Sequence, residues 1–110
     1  MHSNTKTPRP PIEAGIVIQL AELLLGWRIA PGRFIKAGKS WCPQWRFRPF
    51  EKPADALQLL DHVDSFSVTS VRKGEYIAKV QVGRRRGETS GEQMARVITT
   101  AVARALGMEI

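Results

Sequence analysis

Residues 66–82 read FSVTSVRKGEYIAKVQV, and their alternation decides the fold class. Phe66 and Val68 alternate with Ser67 and Thr69. Beyond the turn residues Arg72-Lys73-Gly74, Tyr76, Ala78, Val80 and Val82 share one face, while Lys79 and Gln81 share the other. Two period-two segments on a short glycine-containing connection predict an antiparallel hairpin with one apolar face. Residues 90–107, SGEQMARVITTAVARALG, offer the cover that face needs. Met94, Val97, Ile98, Ala101, Val102, Ala105 and Leu106 form a helical stripe opposed by Glu92, Arg96, Thr100 and Arg104. Ser90 and Gln93 have capping-box spacing at its start, and Gly107 stands where it should end. Between hairpin and helix, Gly83–Thr89 reads as a basic loop.

Further upstream, PADALQLLDHV (residues 53–63) predicts a short helix. Pro53 suits its first position and Asp55 its positive end, with Ala56, Leu57, Leu60 and Val63 turned inward. Residues 12–27, IEAGIVIQLAELLLGW, predict a first helix ending near Gly26. Between these helices, Pro31-Gly32 and Ala37-Gly38-Lys39-Ser40 are turn signals. Trp45-Arg46-Phe47-Arg48 alternates aromatic with arginine and is assigned as the first strand. The expected order is helix-strand-helix-strand-strand-helix: an α+β fold with a three-stranded, mostly antiparallel sheet packed with three helices. Residues 1–11, with three prolines and no apolar period, are expected to form a flexible arm before a single domain at 12–110.

The 110-residue length excludes two full domains, and the single cysteine excludes an internal disulfide. No CxxC pair, nucleotide-binding loop or dinucleotide fingerprint occurs. No run of eighteen apolar residues marks a membrane span, so no membrane partner is expected and a cytoplasmic location is. The net charge of +7 is uneven: residues 1–50 balance at +6, residues 51–83 at −1 and residues 84–110 at +2. A basic first half suits an acidic surface or a nucleic-acid backbone, although such a charge also serves simply to keep a small protein dispersed.

The element order and several residues resemble the phage ABA-sandwich domain family of small phage and prophage proteins. The residues concerned are Leu25-Gly26-Trp27 closing the first helix, the segment Trp41 to Trp45, Phe50 to Asp55 before the second helix, and Val80 to Leu106 at the end. The resemblance implies the fold and a phage or prophage setting, and it implies no catalytic residue.

Cys42 with His62 would be a nucleophile and base only if the fold joined them, and Asp55, Asp61 and Asp64 a metal site only if they converged. The structural readings are a packed thiol and a solvated helix end. No catalytic, metal or cofactor-binding residue is therefore assigned, and an enzyme is not expected. The expected contact residues are Arg33, Lys36, Lys39, Trp41, Arg46 and Arg48, where cations interleave with aromatics, and Arg84, Arg85 and Arg86 ahead of the last helix. Trp27 and Trp45 are expected to plug the core. The function expected is a non-enzymatic phage accessory protein binding a macromolecular partner. That partner is a protein such as a host-defence nuclease inhibited in the manner of an anti-CRISPR, and direct nucleic-acid binding is the alternative. The apolar residues of the first helix exceed what one small sheet can cover. Either a homodimer forms through that helix, or the Trp27–Pro49 segment folds back over it.

Overall fold

The structure, a computed structural model, describes residues 11–38 and 40–110. Its element order is α1 (Pro11–Leu23), β1 (Arg28–Ala30), β2 (Arg33–Ile35), β3 (Trp41–Pro43), a 3-10 turn (Gln44–Arg46), α2 (Pro53–Leu60), β4 (Ser65–Arg72), β5 (Glu75–Val82), β6 (Arg85–Gly91) and α3 (Met94–Ala105). Among the described residues the class is α+β, with three helices. Six strands form two three-stranded antiparallel sheets, β1-β2-β3 (sheet A) and β4-β5-β6 (sheet B), where one sheet of three was expected.

Sheet B grows from the alternation in residues 66–82. Phe66 pairs with Val80 and Val68 with Ala78, so the apolar sides of β4 and β5 coincide. The strand after them is a correction: Arg85–Gly91 continues the sheet instead of forming a loop. Val82 pairs with Arg85 across a two-residue turn, Gly83-Arg84, in which Gly83 takes φ +62 and Arg84 does not turn positive. Glycine first with positive φ is the type II′ pattern, whose twist suits a hairpin. The Asp64 carboxylate accepts the Gly83 N–H and the Asp64 N–H donates to Gln81 O at 3.0 Å, tying the start of β4 to this turn. That use separates Asp64 from any carboxylate cluster. α3 lies across β5 and β6 and buries Ala78, Val80, Val97, Ile98, Ala101 and Val102 in the core.

The close packing depends on Gly87. A methyl group there would overlap the Ala101 carbonyl oxygen and stand 2.5 Å from Ala105 N, both fixed helix backbone. α3 begins at Met94 with Gln93 as its N-cap and no side-chain cap, which corrects the expected Ser90–Gln93 box: Ser90 is still in β6, paired with Ile77. Its C-terminus is as expected. Gly107 adopts φ +93 and the N–H groups of Gly107 and Met108 donate to Arg104 O and Ala103 O, both at 3.0 Å, a Schellman closure.

α2 opens with Pro53 at its first position and packs on α3. Leu59, with Ala56 and Leu60, is buried, whereas Leu57 is exposed, because the helix is short enough for its inner face to be set by α3 alone. α1 begins at Pro11, one residue inside the expected arm, and residues 1–10 of that arm lie outside the described residues. Ile16, Val17, Leu20 and Ala21 face the core, and β1, which follows in the chain, packs against this helix.

Candidate macromolecule-binding face

Sheet A is built from strands of three residues. Each is too short to show a hydrophobic period, and they are joined through the Pro31-Gly32 and Ala37–Ser40 turns. Its register separates two faces. Ile29, Phe34 and Cys42 stand in one row, of which Phe34 and Cys42 are buried and Ile29 at the edge is exposed; Arg28, Ile35 and Trp41 form the neighbouring row, with Ala30, Arg33 and Pro43 beyond. On the inner side, Phe34 is fully buried and meets Trp27 and Phe47 at centroid separations of 5.6 and 6.0 Å. Trp27 and Phe47 meet edge-on at 5.0 Å. Such tilted and edge contacts suit the aromatic quadrupole. Cys42 is buried beside Phe34, and His62 is exposed at the end of α2, so the two are not assembled as nucleophile and base.

Trp45-Arg46-Phe47-Arg48 is not a strand. Pro43 has no N–H with which to continue a ladder, and Gln44 to Arg46 wind into a 3-10 turn. Gln44 fastens this turn. Its side-chain amide donates to Ala30 O at 3.1 Å and its backbone N–H to Gly32 O at 3.0 Å. Phe47 remains in the core as alternation implies, but Trp45 is 61% exposed, which corrects its assignment to the core. The prolines at 43 and 49 were the signal against a strand.

The outward face is aromatic and cationic. Trp41 is 54% exposed with the Arg33 guanidinium 5.4 Å from its ring centroid, and Arg46 lies 5.8 Å from the ring of Trp45. Lys36 instead sits 4.9 Å from Trp27, capping the inner triad. Arg48 is half-buried, forms an ion pair with Glu51, and donates its backbone N–H to Asp55 Oδ2 at 2.9 Å. Lys39 lies outside the described residues. From Trp27 to Phe50 the chain holds six Lys or Arg and no Asp or Glu. Arg33, Trp41, Trp45 and Arg46 thus share one segment, with Arg28 in the row of Trp41, while Lys36 and Arg48 serve largely internal contacts.

The three consecutive arginines do not share one face. Arg84 is in the turn. Arg85 faces α3, with its guanidinium filling the space that a side chain on Gly107 would need, beside the negative end of the helix. Arg86 pairs with Gln81 on the opposite, uncovered face of sheet B. The reach of all three to one partner depended on a flexible loop, and a hairpin replaces it.

Two arginines of α3 are drawn into the structure: Arg104 donates to Glu88 O at 2.8 Å and to Ile110 O at 2.9 Å, and Arg96 reaches across to α1. It pairs with Glu13 of α1 and lies 5.3 Å from the Phe50 ring. The hydrogen bond that Arg96 donates to Glu13, then the charges of Glu13 and Glu51, raise the Arg96 pKa above the ordinary guanidinium value, against burial, which lowers it. Among the described residues, no cluster of His, Cys, Asp and Glu is composed to hold a metal ion, and no helix is long and apolar enough to cross a membrane.

No protein-family model and no curated protein sequence matches the chain. A solved structure described as a phage protein from Bacillus cereus does superpose, with a TM-score of 0.66 over 100% of this chain and 96% of its own, at 19% identity. At that identity the likeness concerns architecture: this chain shares the overall fold of that phage protein.

Proposed function

We propose that the chain is a non-catalytic phage or prophage accessory protein, of the kind the ABA-sandwich resemblance suggests, that binds a macromolecular partner through the outward face of sheet A and the adjoining turn. The observation that carries this reading is the exposure of Trp41 and Trp45, each beside an arginine, in a stretch without a carboxylate. Aromatic anchors flanked by arginine are the side chains that concentrate binding energy at interfaces. The partner is a protein with an acidic patch. An inhibitor of a host-defence nuclease would use such a face, and would work in the cytoplasm of the host cell.

Direct nucleic-acid binding is the second reading, favoured by the same absence of carboxylates between Trp27 and Phe50. Affinity capture from host lysate separates the two, performed with and without nuclease on the native chain and on a Trp41→Ala, Trp45→Ala double variant. A partner retained after nuclease treatment and lost with the double variant is the expected result. Loss on nuclease treatment alone transfers the face to nucleic acid, and equal capture by both chains removes it from the function.

A further inference from the structure

One glycine has no explanation among the described residues. Gly26, Gly32, Gly38, Gly74, Gly83 and Gly107 have φ values from +62 to +93. Gly87 admits α3, and Gly91 lies against Val97. Gly15 is different: it sits inside the 13-residue α1, where glycine costs about 1 kcal/mol relative to alanine, and a Cβ placed on it would meet nothing within 4 Å. It opens onto a shallow groove walled by Ile12, Ile16 and Leu23 of α1 and by Met108 and Ile110 beyond α3. Residues 12, 15, 16, 19 and 23 recur at helical spacing on one side of α1. Ile12 and Leu23 are 74% and 64% exposed, the most exposed large apolar side chains among the described residues.

We propose that this face is where two copies of the chain associate, α1 of one crossing α1 of the other at Gly15 about a two-fold axis. A missing side chain on an exposed apolar helix face allows a second helix to come close, and a two-fold pairing presents the same strip from both sides. Charge selects a second copy as the occupant. Each copy carries +7, so most surfaces of two copies repel. The groove is lined by no Lys or Arg and by one carboxylate, Glu109, so two copies meet there without opposing cation to cation. The helix is about 20 Å long. With the C-terminal wall it offers on the order of 500 Å² per copy, less than the roughly 800 Å² of a standard interface, so the dimer dissociates readily. This pairing is independent of the tryptophan face.

Sedimentation velocity of the full chain from about 1 to about 200 µM spans the range in which such a dimer forms and separates. The mass is expected to rise from one chain to two across it. Leu23→Glu and Gly15→Leu should each weaken association at least about tenfold while leaving the far-ultraviolet circular dichroism unchanged. Gly15→Ala keeps the test sound should a bulkier variant misfold. It favours the helix, so the melting temperature at low concentration should hold or rise while association weakens. A single-chain mass at every concentration overturns the proposal, and so does a dimer whose affinity is indifferent to changes at both Gly15 and Leu23.

Discussion

Sheet B and sheet A have the same number of strands and the same antiparallel pairing, yet they are stabilised in different ways. Sheet B has strands of seven or eight residues, and its β5 and β6 are covered by a helix whose apolar stripe fits them while β4 stays largely exposed, so its stability comes from aliphatic packing repeated along two regular periods. Sheet A has strands of three residues and no helix of comparable fit. It depends on the Trp27–Phe34–Phe47 triad beneath it and on a few directed bonds from Gln44 and at the ends of the segment. Long periodic elements leave their outer faces polar and unremarkable; a small sheet over an aromatic plug leaves its outer face free to carry other residues. The candidate binding face is accordingly on the weaker sheet.

The largest effect should come from the plug. Phe34→Ala removes a fully buried ring and is expected to cost about 3–5 kcal/mol. Hydrogen exchange then tells whether the two sheets yield together. Preferential loss of protection in residues 28–43, with β5 and α3 still protected, makes sheet A a separate unit, whereas uniform loss makes the molecule one cooperative body. Gly87→Ala attacks the other side of the comparison. Its methyl group meets helix backbone that cannot rotate away, so α3 has to retreat from β6 at a cost of about 3 kcal/mol, measured by denaturant unfolding. A change below about 0.5 kcal/mol would show that α3 slides freely on the sheet. The smallest of the three concerns the join. Thr99 Oγ1 donates to Pro49 O at 2.6 Å, and this buried bond links the end of the aromatic segment to α3. Thr99→Val should lose about 1–2 kcal/mol, and if the sheets are coupled through it, exchange in residues 28–43 should quicken more than the global change requires.

These differences also explain what could be read in advance. The alternation at Tyr76–Val82 and the stripe from Val97 to Ala105 extend over several repeats, and both elements were legible together with most of their buried residues, Ala95, Thr99 and Ala103 excepted. Pro53 and Gly107 marked helix ends because their backbone chemistry leaves few other places for them. β6 was not legible, because Arg85-Arg86-Gly87-Glu88-Thr89 has no apolar residue: its inward positions are held by a side chain lying on Gly107, a glycine against α3, and a threonine. The strands of sheet A were hidden for another reason, since three residues contain no period, although the turns between them were marked by glycine and proline. At the candidate site, the residue types were visible and their directions were not. Arg33, Trp41 and Arg46 face outward, Arg48 turns to Glu51, Lys36 to Trp27, and the arginines at 84–86 part company. Trp45 was the costliest misreading, for aromatic alternation suggested a buried strand where Pro43 had already stopped one.

The clamp made by Gln44 has a bearing on how Trp45 meets anything else. A large side chain on a wandering loop must lose its freedom at the moment of contact, and that loss subtracts about 0.5–1.5 kcal/mol for each residue brought to rest. Here the loss is taken during folding, when the amide of Gln44 engages Ala30 and its backbone engages Gly32. Whatever settles on that indole meets a turn whose backbone is already held, so the clamp acts on affinity as an entropic term without itself touching the visitor.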